Sequence, residues 1–309
     1  MSEDKELALV LQQCGELQAV AYWTRITKGY SGDRLYRSGA GVTPSLLRIF
    51  DVGQYEAKRA EFEMLGRLRV LGIRCSAPLK LEQLEEQGIG YMWLSYLEGE
   101  DASEALPQLS IDAQYTAGLE AGRELRRMHE LEAPAGWSDW QEVKTAKHHR
   151  YVRQYRECGV RLPGDEDVLA FAERHLGAMQ GRPNLFQHDD YHPSNLILQE
   201  GHFAGVIDIG RFDWGDPVHE FLKVGMFTVE ISIPFAVGQI RGYHDGRDPD
   251  EAFWELYALY MAMAIISSVV WVVSFHPQEL DEMMERLNRV MDDHRNFELN
   301  QPSWYSDVP

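Results

Sequence analysis

The residues best placed to do chemistry lie in one stretch, His188-Asp189-Asp190-Tyr191-His192-Pro193-Ser194-Asn195, followed by the apolar run Leu196-Ile197-Leu198. It offers a histidine, an aspartate two residues on, and an asparagine five residues after that aspartate. Shortly downstream, Val206-Ile207-Asp208-Ile209-Gly210 sets a lone acid at the end of an apolar, β-type run. Between the two, Gln199-Glu200-Gly201-His202 reads as a hairpin turn in which glycine supplies the φ > 0 position. Folding Leu196–Leu198 back on Val206–Ile207 brings Asn195 and Asp208 to the same end of a small ribbon. An amide oxygen beside a carboxylate suits a hard, oxygen-seeking Mg²⁺ when phosphates supply its remaining ligands.

H-x-D-x-x-x-x-N followed by I-D-I-G, with Trp214-Gly215-Asp216-Pro217 closing the segment, resembles the catalytic and metal-binding loops of the aminoglycoside phosphotransferase superfamily, the kinase-like antibiotic phosphotransferases. Those loops are similar to the protein-kinase catalytic loop and its D-F-G. The resemblance implies that Asp190 orients the acceptor hydroxyl and takes its proton, and that Asn195 and Asp208 are magnesium ligands. His188 is then structural, holding the loop through backbone hydrogen bonds. The implied fold is α+β and two-lobed like a protein kinase, with a small β-rich nucleotide lobe (residues 1–97) and a larger, mostly helical catalytic and acceptor lobe (residues 98–309).

The elements that must position these residues are legible upstream. Residues 3–18 read as an amphipathic leading helix. Two strands, Ala21–Lys28 and Leu35–Arg37, flank Gly29-Tyr30-Ser31-Gly32-Asp33, a glycine-rich turn of the kind that lets backbone N–H groups approach phosphate. The resemblance places Ser31 at the family's phosphate-contacting serine. In the next strand, Ser45–Ile49, Arg48 stands where the family usually carries a phosphate-binding lysine. Arginine keeps the charge with a different geometry, and a contact from Arg48 to the α/β-phosphates is expected. Gln54–Leu71 is a helix by its apolar period. Its Glu61 best matches the family's glutamate that pairs with the strand cation, with Glu63 the second choice. Gly90–Gly99 turns from apolar and aromatic to polar, as an interlobe hinge does, and the resemblance makes Ser95 to Leu97 the adenine slot.

In the second lobe a long helix is expected from Leu109-Ser110 to about His129, and another from a Ser138/Gln141 capping box to about Glu157. Gly164-Asp165-Glu166-Asp167 opens a third. Asp216-Pro217 reads as N-cap and first residue of a helix Val218–Val229, so Asp216 is a cap and loop organiser. Leu256–Phe275 lacks charge over a length close to a bilayer span, but it carries serines and no Lys/Arg anchors, and reads as a buried core helix.

The three cysteines, Cys14, Cys75 and Cys158, have no metal or disulfide spacing, and the charged N-terminus has no signal core, so a cytoplasmic protein is expected. Residues 1–97 carry 12 Lys+Arg against 12 Asp+Glu, so the whole net charge of −19 falls in residues 98–309. Such a surface argues against nucleic acid and anionic membranes as partners. The expected activity is ATP-dependent phosphorylation, with GTP as the alternative nucleotide and Mg²⁺ as cofactor, of a hydroxyl on a small molecule. An aminoglycoside-type or other cationic acceptor is favoured. Macrolides, choline-like amines, sugar-amines and metabolites are the alternatives, and a nucleotide-binding pseudoenzyme is the rival from another class.

Overall fold

A computed structural model describes residues 3–20, 22–27, 32–39 and 43–306. The chain divides into two compact units: Met1–Glu100 with Ile197–Glu200 and Ala204–Arg211, and Asp101–Leu196 with Gly201–Phe203 and Phe212–Pro309. The switch falls after Glu100, and the hairpin that follows the catalytic stretch clusters largely with the first unit.

The first unit is built on a five-stranded antiparallel sheet. Its strands are β1 (Trp23–Ile26), β2 (Arg34–Ser38), β3 (Ser45–Asp51), β4 (Pro78–Leu84) and β5 (Ile89–Ser95), in the order β1-β2-β3-β5-β4. Arg48 on β3 faces Leu35 on one side and Met92 on the other. The leading helix α1 (Glu3–Gln13) breaks at Cys14, and a short turn, Gly15–Gln18, continues it. Val10, Cys14 and Leu17 pack with Leu47, Ile49 and Tyr91, so the sheet gains a hydrophobic cover that the marginal helix needs in return. Helix α2 (Tyr55–Val70) buries Glu61, Met64, Leu65 and Leu68 on one face.

The second unit is helical. Helix α3 (Ile111–Met128) starts at Ser110, whose hydroxyl accepts the Ala113 amide. Helix α4 (Trp140–Glu157) is capped by Asp139, not Ser138: the Asp139 carboxylate accepts the Glu142 amide at 3.0 Å. Helix α5 (Asp165–His175) follows Gly164, and α6 (Ile233–Tyr243) lies against α3. Helix α7 (Glu251–Phe275) is the apolar run noted above; most of it is buried within the protein. Helix α8 (Leu280–Asp293) completes the set used below. The expected helix Val218–Val229 is instead irregular, with a 3₁₀ turn at Pro217–Phe221 and a wide π-turn at Val224–Thr228 before a short α-helical turn.

Candidate active site

Strand β6 (Leu185–Gln187) delivers the chain to a loop held from beneath by one buried carboxylate. Glu220 Oε2 accepts the amides of His188 at 2.6 Å and Asp189 at 3.3 Å. Burial opposes ionisation of Glu220, but the His129 and His188 rings and the loop amides outweigh it and hold the carboxyl below its usual range. Lys223, three residues further on, reaches the same loop, and the segment that bears both runs from a 3₁₀ turn into a π-turn. His188 is wholly buried, and its Nδ1 accepts the Asp190 amide at 3.3 Å. Asp189 adopts φ = 62°, a left-handed conformation uncommon away from glycine.

Asp190 is then surrounded by donors. Lys223 Nζ lies 3.0 Å and His192 Nε2 3.3 Å from Oδ1, while Asn195 Nδ2 donates to Oδ2 at 3.0 Å and to the Asp190 carbonyl at 2.9 Å. Burial would raise the pKa of this acid. The His192 hydrogen bond and the Lys223 charge overcome that and push it far below the carboxylate norm. Asp190 and Asn195, both singled out by their spacing, are thus joined directly.

Behind them, Asp216 is fully buried and does more than cap its turn. Arg182 grips it with two N–H bonds of 2.7 and 2.8 Å, Tyr260 donates at 2.6 Å, and the Val218 amide at 3.0 Å.

In the first unit, Arg48 lies at the centre of a buried charge network. Its Nη1 donates to Glu61 Oε1 at 2.5 Å, and its Nε and Nη2 donate to Asp33 Oδ2 at 3.0 and 2.7 Å. Lys58 Nζ reaches the same Asp33 oxygen at 2.6 Å and Glu61 Oε2 at 3.8 Å. Arg48 and Asp33 are 8% exposed and Glu61 is 3% exposed, so the charges are compensated almost without water. Glu63 instead pairs with Arg59 on the surface. A Cβ at Gly210 would sit 3.0 Å from Glu61 Oε2, so the glycine of I-D-I-G lets the post-hairpin turn close on that glutamate.

The hairpin itself runs from β7 (Leu196–Gln199) to β8 (His202–Val206), with Glu200 at φ = 52° and Gly201 at φ = 80°, both central residues left-handed as a two-residue turn demands. Asn195 immediately precedes β7 and Asp208 follows β8 by two residues. Asp208 is exposed, at φ = 60°. At the hinge, the Ser95 and Tyr96 amides are committed to Ala77 at 2.9 Å and Pro44 at 2.9 Å, and Ser95 Oγ accepts the Ala77 amide. Leu97 packs towards Gly205 of β8. Ser31 lies outside the described residues.

Among the described residues, no group of three or more His, Cys, Asp or Glu side chains is assembled as a metal cage. Each of the two residues expected to bind magnesium, taken by itself, keeps an oxygen of the hard kind that such a cation takes. The Asn195 amide nitrogen is spent on Asp190, which leaves its carbonyl oxygen to a ligand, and Asp208 offers an exposed carboxylate. One or two protein oxygens completed by phosphate is how Mg²⁺ is commonly held.

Sequence reasoning missed Glu220, Lys223, Asp33 and Lys58, each remote in sequence from the group it serves. It also missed Lys144 on α4. Lys144 Nζ touches the ring of His219 and lies 5.3 Å from the Trp140 ring centre. Burial and the neighbouring Lys147 bring its pKa down to about 7, against the pull of Asp189 and Asp213. Burial and the lysines around it keep His219 neutral.

A small antiparallel sheet unit, a helical unit and this loop define a kinase-like phosphotransferase. The family model described as the phosphotransferase enzyme family, APH, matches residues 23–257, and the chain belongs to that family. Solved structures agree in fold. A mutant of aminoglycoside 2'-phosphotransferase-IIIa in complex with GDP superposes with a TM-score of 0.70 at 12% identity, covering 97% of this chain and 100% of that one. A thermostable mutant of aminoglycoside phosphotransferase APH(4)-Ia, in ternary complex with AMP-PNP and hygromycin B, gives 0.67 at 14% identity, covering 92% and 97%. A putative aminoglycoside phosphotransferase from Ralstonia eutropha gives 0.64 at 14% identity, covering 94% and 98%. No curated protein sequence matches the chain.

Proposed function

We propose that this phosphotransferase moves the γ-phosphoryl group of ATP to a hydroxyl of a small molecule, with Asp190 as the residue that meets the hydroxyl. The observation that carries the reading is the setting of Asp190: a carboxylate on a loop fixed by Glu220, bonded to Asn195 and paired with Lys223, which favours its ionised form. So firmly ionised an acid is a weak base, and its main work is to aim the hydroxyl oxygen, which accords with the small demand that phosphoryl transfer makes for covalent help. The new oxygen–phosphorus bond forms as the bond to ADP breaks, and the hydroxyl proton passes to Asp190.

Asn195 and Asp208 would hold Mg²⁺, which supplies charge neutralisation at the phosphates. Arg48, fixed by Glu61, turns its remaining N–H groups to the α/β-phosphates, and the Ser31 turn covers them. At the hinge the amides of Ser95 and Tyr96 are spent within the sheet unit, so the Leu97 amide takes the base, with Ser95 Oγ beside it. GTP is the alternative nucleotide, supported by the relative described in complex with GDP.

For the acceptor, two facts support an aminoglycoside-type or other cationic molecule: the excess of acids in residues 98–309 and the hygromycin B held by one structural relative. Asp245, Asp248 and Asp250 already have partners within the protein. Arg126, Arg241 and the amide at Phe253 take these. The test is acceptor-dependent ADP release across a panel of aminoglycosides, macrolides, amino alcohols and sugars, each over a salt series. A cationic acceptor should show KM rising with ionic strength as the Debye length shrinks, at nearly constant kcat. A best acceptor that is uncharged, with a flat response, would remove the cation while leaving the transfer reaction in place.

A further inference from the structure

The second unit carries a pair of lysines near the Asp189–Asp190 loop that Asp189 and Asp213 attract without forming a direct ion pair. Lys144 and Lys147 lie one turn apart on α4, with no carboxylate within ion-pair reach of either among the described residues. Lys144 is half-buried; its nearest polar partner is the neutral ring of His219, and its other neighbours are the faces of Trp140 and Tyr260. Lys223, four residues after His219, reaches Asp190 at 3.0 Å. All three lysines act electrostatically on Asp189, the residue before the proposed catalytic acid.

We propose that Lys144 and Lys147, with His219, form an anion subsite, and that the acceptor therefore carries a carboxylate or phosphate near the hydroxyl that is phosphorylated. This rests on the transferase reading above and narrows it. Holding a half-buried ammonium against a neutral imidazole, with two like charges near, costs free energy that an aromatic face returns only in part. An anionic substituent would give Lys144 a direct, charge-assisted partner beyond the longer-range pull of Asp189 and Asp213. Its repulsion with Asp190 would be reduced, because Lys223 already pairs with that carboxylate. A polyamine with no acid would bring its charge against three lysines. A cationic acceptor satisfies both the bulk charge and this subsite only if it bears an acid as well.

The test uses the full chain saturated with Mg-AMP-PNP, so that the nucleotide's own phosphate positions are filled. Inorganic phosphate and acetate are titrated in, and thermal stabilisation gives an apparent Kd for each. The expected result is saturable stabilisation by at least one of the two, weakened at least tenfold in Lys144→Met and Lys147→Met and partly restored in Lys144→Arg. The tighter of the two anions identifies the group. No saturable effect, or equal affinity in the methionine variants, overturns the subsite and leaves Lys144 as a lysine packed on Trp140. A failure of AMP-PNP itself to stabilise the protein would count against the nucleotide reading instead, and the anion titration is read independently of it.

Discussion

Arg48 shows how much of a charged residue's role is written nearby and how much is not. Its place on β3 and the choice of Glu61 over Glu63 follow from strand position and helix face, because residues spaced three and four apart share a face and Glu61 lies on that of Leu65 and Leu68. Asp33 and Lys58 could not be read this way: they reach Arg48 through a turn and a helix whose packing no local pattern specifies. The network sets the expected phenotype. Arg48→Ala leaves Asp33 and Glu61 buried without their main partner, so it should cost about 3–5 kcal/mol of stability, raise the nucleotide KM and lower kcat. Arg48→Lys should recover part of both, since charge is kept and the fork is lost. Thermal melts run beside steady-state kinetics check this, and an alanine variant with full activity and an unchanged melt would show the strand cation to be dispensable.

At the level of elements, long periodic segments were legible and irregular ones were not. Helices α3, α4 and α5 fall close to their expected spans because apolar period and caps act locally. The 217–231 segment is irregular, and its Glu220 and Lys223 serve a loop some thirty residues upstream. A signal that could have been read is the pair G-x-x-x-G runs, Gly118/Gly122 on α3 and Gly238/Gly242 on α6. Each glycine lets one backbone approach the other, and a Cβ at Gly122 would collide with the Gln239 carbonyl. Gly122→Ala should therefore destabilise by about 3 kcal/mol or more, as overpacking against backbone does. Gly15→Ala, where a Cβ meets nothing within 4 Å, should be neutral or slightly stabilising. Chemical denaturation of both separates close packing from a general intolerance of substitution.

Acid sensitivity belongs to the same scale. His294, at the end of α8, is buried with Nδ1 bonded to the Leu299 carbonyl, and burial pushes its pKa down to about 4. The unfolded chain, with an imidazole near 6.5, binds this proton more readily. The His294 contribution is therefore complete above about pH 6.5 and is lost as pH falls from there towards 4, by roughly 3 kcal/mol. The melting temperature of His294→Phe should fall less steeply than that of the wild type over that window; parallel slopes would assign the acid sensitivity elsewhere.

For the whole molecule, the division of labour follows from the two units: a sheet that fixes a cation and a helical body that fixes a loop. The motif carried the reaction class because phosphoryl transfer needs few residues at strict spacing. The acceptor was not legible, because no motif of comparable spacing marks what holds it. If Asp208 acts through magnesium, Asp208→Ala should weaken nucleotide binding tenfold or more with Mg²⁺ present and hardly at all in EDTA. Equal loss in both by calorimetry would make Asp208 a structural residue. The most direct test of the central claim is single-turnover transfer from Mg-ATP to the best acceptor by Asp190→Asn, with nucleotide affinity measured on the same preparation. The account predicts a protein that still folds, with some loss of stability as Lys223 loses its carboxylate partner, and still binds Mg-ATP, with transfer at least about a hundredfold slower. Transfer at the wild-type rate by a folded Asp190→Asn protein would contradict it.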